Sequence, residues 1–139
     1  MMYQPIMEEL FRRALKAFEN DDPSAEQMFQ ELAEMAERNG DREMYLLARR
    51  CALRARAIRL TPSASLQGFA ELWNEVKDSS SPLRPYILGD YLVALAYEGR
   101  CDEVDKLLEG YGWLMKDPTH RTATLATIRV LCEIHLGSI

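Results

Sequence analysis

The sequence predicts an all-α protein built from stacked helical hairpins, and three observations predict it. Apolar residues recur at three- and four-residue spacing along nearly the whole chain, the period of an amphipathic helix. No stretch keeps the period-two alternation of a strand. The breaks between helices are regular: the odd-numbered ones begin near Pro5, Asp41, Leu83 and Thr119, about 36 to 42 residues apart, a period that marks one helical hairpin per repeat. Such a hairpin cannot bury its apolar face alone, so neighbours stack into a short superhelix with one concave side. The expected hairpins cover about 5–39, 41–77 and 83–114, with a closing helix at about 119–136, in one domain spanning 1–139.

Each element has its own signals. Pro5 suits the first turn of a helix, and Ile6, Met7, Leu10, Phe11, Ala14, Leu15 and Phe18 give the first helix a broad apolar face. Asn20-Asp21-Asp22-Pro23-Ser24 reads as a capping loop. The second helix follows to about Arg38, with Met28, Phe29, Leu32, Met35 and Ala36 expected inside and Glu26, Glu31, Glu34 and Glu37 outside. Asn39-Gly40 ends it, because Gly takes the left-handed cap conformation without cost. The third helix runs from Asp41 to about Leu60, with Met44, Leu47, Ala48, Cys51, Ala55 and Ile58 on one side. Thr61-Pro62-Ser63 breaks it. A fourth helix lies near Ser65 to Lys77, and Asp78-Ser79-Ser80-Ser81-Pro82 is the most loop-like stretch. The fifth spans about Leu83 to Glu98, the sixth about Asp102 to Tyr111, and the seventh about Thr119 to Leu136 before Gly137.

Composition narrows the function. The 139 residues are 47% hydrophobic and 28% charged, ordinary for a globular domain able to bury a core. A net charge of −5 disfavours non-specific nucleic-acid binding. No apolar run approaches the roughly 20 residues that span a bilayer, and Met1-Met2-Tyr3-Gln4-Pro5 does not read as the start of a signal peptide. Cys51, Cys101 and Cys132 are far apart and odd in number, which predicts no disulfide framework and a reducing, cytoplasmic setting.

The fifth and sixth helices carry the clearest motif. Gly99-Arg100-Cys101-Asp102-Glu103-Val104 resembles the turn that joins the two helices of a tetratricopeptide (TPR) unit, with Gly breaking the first helix and Val104 packing at the crossing. Three fragments then resemble a particular family. Leu32-Ala33-Glu34-Met35-Ala36-Glu37-Arg38-Asn39-Gly40, continued by Glu43, Leu47, Arg49 and Leu53, is similar to the second and third helices of the small TPR-like chaperones of the type III secretion needle subunit, with Met35 in place of a Trp. Leu83-Arg84-Pro85-Tyr86 resembles the opening of that family's fifth helix, and Leu107-Leu108-Glu109-Gly110 with Asp117-Pro118 stands in the right order before a last helix. Thr61-Pro62-Ser63 departs from the family's turn. The resemblance implies a cytoplasmic, non-enzymatic virulence chaperone. Its concave groove would sequester an amphipathic helix of the needle subunit, and a small helical co-chaperone would pack on its N-terminal helices. That is helix-in-groove recognition, with anchors at i, i+3, i+4 and i+7.

Candidate partner-binding residues follow from the same frame. On the fifth helix the concave stripe is Tyr86, Gly89, Val93, Ala96 and Tyr97, where small residues admit a partner helix and tyrosines anchor it. The plainer alternative is that these side chains fill the core. On the third helix Tyr45, Arg49, Ala52 and Arg56 share one face. Arg49 and Arg56 would meet acidic groups or a terminal carboxylate of the partner, or else pair with Glu31, Glu34 and Glu37 of the second helix. Cys132 and His135 share a face of the last helix, which His120 opens, but zinc requires three or four ligands. They read as a buried thiol and a helix-end histidine, so no metal and no cofactor is expected. No Gly-rich phosphate loop, Gly-x-Ser-x-Gly elbow or His-Glu-x-x-His is present, and no enzyme is expected. The alternatives kept open are a generic TPR-like adaptor and a regulatory or immunity-type protein that binds its target through an acidic helical surface.

Overall fold

In a computed structural model the chain is described over residues 3–137, and over 4–137 with side chains. Met1 and Met2, part of the stretch searched for a signal peptide, lie outside the described residues. Seven α-helices appear there, in the expected order: α1 Tyr3–Glu19, α2 Ala25–Arg38, α3 Arg42–Arg59, α4 Leu66–Val76, α5 Arg84–Tyr97, α6 Cys101–Tyr111 and α7 Pro118–His135. Short 3₁₀ turns at Pro62–Ser65 and Gly112–Leu114 precede α4 and follow α6. Among the described residues no helix is long and apolar enough to cross a membrane. The helices group into two compact units, Met1–Thr61 and Pro62–Ile139. The boundary falls between α3 and the turn at Pro62–Ser65, and within the first unit α3 packs along α2.

In the first unit α2 is the central helix and packs against both α1 and α3. Phe29 is fully buried there, with Phe11 and Phe18 of α1 at ring-centroid distances of 5.9 and 6.5 Å. Ala14, Ala25 and Ala52 close the cluster from the three helices. Tilted and edge-on aromatic contacts of this kind add about 0.5–1.5 kcal/mol each to the area buried. The α2–α3 seam is made of small residues, with Ala33, Ala36, Ala48, Ala52 and Ala55 all buried, so the two backbones approach closely. That seam also rotates α3 away from the expected face. Tyr45 and Ala52 turn inward, while Ile58, expected inside, is 64% exposed. The turn itself follows its sequence signals. Gly40 has φ 71°, a conformation that suits Gly, and Asp41 caps α3 by accepting from the Met44 N–H at 3.1 Å.

In the second unit α5 packs against α4, α6 and α7. Its sequence is apolar nearly all round, which is the mark of a helix enclosed by others. Ile87, Leu88, Leu92, Ala94, Leu95 and Ala96 are all completely buried. Trp73 of α4 meets Tyr111 of α6 edge-on at 5.0 Å. Gly99 turns the chain from α5 into α6 with φ 77°, and Asp117 caps α7 by accepting from the Thr119 and His120 N–H groups. Cys101, at the start of α6, forms a disulfide with Cys132 of α7 across a Cα separation of 6.1 Å. This corrects the expectation of no disulfide framework and leaves Cys51 as the one cysteine outside a disulfide among the described residues. It also removes the ground on which a reducing compartment was expected. The two cysteines are 31 residues apart, and only the return of α7 onto α5 and α6 brings them together.

Candidate protein-binding surfaces

The face expected of α3 is engaged within its own unit. Tyr45 is only 7% exposed, Arg42 and Arg49 lie over its ring at 5.3 and 5.7 Å, and Arg49 Nη1 donates to Tyr45 Oη at 2.8 Å. Arg56 and Arg59 both reach Glu26 of α2, at 3.5 and 2.8 Å. The sequence-based alternative had paired the arginines with Glu31, Glu34 and Glu37. Arg56 and Arg59 meet Glu26 because α2 and α3 run antiparallel through a tight turn, so the end of α3 meets the start of α2.

At that same end the first unit opens a cleft of about 560 Å³. Phe18, Ala25, Ala55 and Ile58 supply its apolar wall, and Glu19, Asp21, Asp22 and Glu26 line it beside Arg59. Asp21 holds the α1–α2 turn with φ 56°. Asp22 accepts from the Ser24 N–H and hydroxyl at 2.9 and 2.8 Å. Those bonds, the backbone one first, hold its carboxyl below the usual range.

On α5, the expected stripe meets the chain's own α7. Tyr86 stacks on His120 with centroids 4.7 Å apart. Gly89 is buried, and a Cβ placed there would stand 2.9 Å from His120 Nε2 and 3.4 Å from Thr124 Oγ1. α7 therefore occupies the stripe at Tyr86 and Gly89. Val93 is half-buried, and Tyr97 is 41% exposed, its carbonyl 2.8 Å from His135 Nε2. The structure thus puts Tyr86, Gly89, Val93 and Tyr97 in the second unit and Tyr45, Arg49 and Arg56 in the first.

A surface that sequence reasoning missed lies on α7 itself. Thr124 and Ile128 face inward. Ala123, Thr127, Val130 and Ile134 are all exposed and recur at i, i+4, i+7 and i+11, within an arc of roughly 60° on a helix. The strip carries no charge, and its larger members are about half exposed: Val130 49% and Ile134 51%. Leu136 follows just beyond the helix and is more open still. The spacing was present in the sequence, but the helix offers apolar residues on both sides, so the spacing alone does not say which side is covered.

Among the described residues no group of three or more His, Cys, Asp or Glu stands close enough to hold a metal ion. No protein-family model, curated protein or solved structure matches the chain.

Proposed function

We propose that the chain is a non-enzymatic, TPR-like helical-hairpin protein that binds an amphipathic helix of another protein. The strip Ala123, Thr127, Val130 and Ile134 carries this reading. A charge-free helical stripe is ordinarily turned toward a core, and here it is turned outward. Its small residues let a second helix approach, and Val130 and Ile134 offer side chains for that helix to cover, as in helix-in-groove binding. The docking site is thus the outer side of α7, where the sequence had pointed to the α5 stripe beneath it.

The family resemblance makes the concrete form of the reading a chaperone that shields a helix of a type III secretion needle subunit. A small co-chaperone on the N-terminal helices belongs to the same reading, and α1 leaves Ile6 and Leu15 open to such a contact. The cytoplasmic setting belongs to it through the resemblance alone. Coexpression with a needle-subunit-type protein tests the proposal: a soluble complex in which that protein no longer polymerises is the expected result. Polymerisation unaffected by the chain would refute it.

The cleft of the first unit favours a second reading. Its carboxylates around an apolar wall suit a basic, partly apolar segment of a regulatory or toxin target, as an immunity-type protein would require. Asp21→Asn with Glu19→Gln would then weaken target binding while changes on α7 left it intact.

A further inference from the structure

The second unit contains a cavity of about 330 Å³ where the first turns of α5 and α7 converge, lined among others by Ser80, Arg84, Tyr86, Trp113 and Lys116. Arg84 is the unusual member. Its side chain is half-buried, and Nη1 makes a long contact of 3.4 Å to the Lys77 carbonyl. Its guanidinium carbon lies 5.8 Å from the centroid of the Trp113 ring. Its Nε is closed off from solvent and has no hydrogen-bond partner. Among the described residues no carboxylate stands within ion-pair distance of Arg84 or of Lys116. The one acidic residue in the lining, Asp117, accepts from the Thr119 and His120 N–H groups and so is committed to capping α7.

A half-buried guanidinium with no carboxylate beside it can meet an anion through charge-assisted bonds from its terminal N–H groups. The start of the 14-residue α5 adds a positive partial charge on the same side. The neighbouring wall is flat and apolar. Trp113 is 59% exposed, yet its ring is fixed by donating Nε1–H to the Gly110 carbonyl at 3.1 Å, and Tyr86 is held against His120.

We infer that this cavity is an oxyanion site. It takes a carboxylate or a phosphate carried on a planar apolar group, with the oxyanion at Arg84 and Lys116 and the flat group beside Trp113. Arg suits both halves of such a ligand, since it binds oxyanions through paired donors and stacks on rings. The site is independent of the α7 strip and stands or falls separately from it.

Fluorescence of Trp113 reads occupancy, with the buried Trp73 as internal background and Trp113→Phe as the control that assigns the signal. Benzoate and phenyl phosphate separate the two oxyanions, inorganic phosphate lacks the planar group, and phenol lacks the charge. The expected result is saturable binding of benzoate or phenyl phosphate, with inorganic phosphate and phenol each weaker by about tenfold or more. Arg84→Gln should weaken binding by about tenfold or more. Lys116→Gln, at an exposed position that does not threaten the fold, should weaken it by about threefold. No saturable response to either aromatic oxyanion overturns the assignment. So does phenol binding as well as benzoate, or unchanged affinity in Lys116→Gln together with a folded Arg84→Gln.

Discussion

Gly99 shows how much one residue of the second unit carries. It turns α5 into α6 at φ 77°, and a Cβ there would meet His135 Nδ1 at 2.8 Å. The same His135 holds the Tyr97 carbonyl through Nε2, so it cannot step aside without breaking that contact. Gly99→Ala is therefore expected to destabilise the protein by about 1–3 kcal/mol in urea unfolding, from left-handed strain and crowding together. Gly110 is the counter-case. It lies in α6 with open space around its Cα, and Gly110→Ala should be neutral or stabilising by up to about 1 kcal/mol. If both substitutions had the same effect, the account of the Gly99 turn would fail. Beside that turn, Arg100 donates to both carboxylate oxygens of Glu103 at 2.8 Å. The Arg100 hydrogen bonds lead in holding the Glu103 carboxyl below its ordinary value, against a smaller opposing effect of burial. A depressed folded value means that this stabilisation is present above the ordinary glutamate range and is lost as pH falls through the folded value. An NMR titration should find the Glu103 midpoint low and find it return toward normal in Arg100→Ala. A midpoint that does not move would contradict the pairing.

At the scale of the element, α5 and α7 divide what could and could not be read from the sequence. α5 was legible as a buried helix, because its apolar residues leave no polar face. Its expected function was not settled by that fact, since a stripe such as Tyr86, Gly89 and Val93 fits a partner helix and an internal one equally well. What selects the internal one is the return of α7, whose His120 fills the space left by the missing Cβ of Gly89. The disulfide was hidden for the same reason, as only tertiary packing brings Cys101 and Cys132 within bonding range. Linking residues 31 apart in sequence is expected to stabilise the fold by about 3–4 kcal/mol in the chain-entropy view. Titration of the denatured, unreduced protein with a thiol reagent should find one thiol, Cys51. Reduction should lower the unfolding midpoint and speed amide exchange in α6 and α7. Three reactive thiols before reduction would contradict the link.

For the whole molecule, the number and order of the helices followed from periodicity and punctuation, and their ends agree with expectation to within about two residues. How tightly neighbouring helices pack is set by side-chain size rather than by periodicity. Turn chemistry at Asn39-Gly40-Asp41 marked the end of one helix and the start of the next, but the alanines that make α2 and α3 a close pair carry no periodic signal separate from any other amphipathic helix. Which face of α7 is left outward was equally hidden, because a helix with apolar residues on two sides does not say which is covered. The central claim is that the covered partner face is the strip on α7. Ile134→Asp should abolish binding of a needle-subunit-type amphipathic helix, or weaken it by about 1–3 kcal/mol, with the melting temperature unchanged. The most direct measurement is NMR shift mapping of that helix added to the intact chain. The account expects the largest changes at Ala123, Thr127, Val130 and Ile134; changes confined to Phe18, Ala25 and Ile58 in the acidic cleft, with the α7 strip silent, would contradict it.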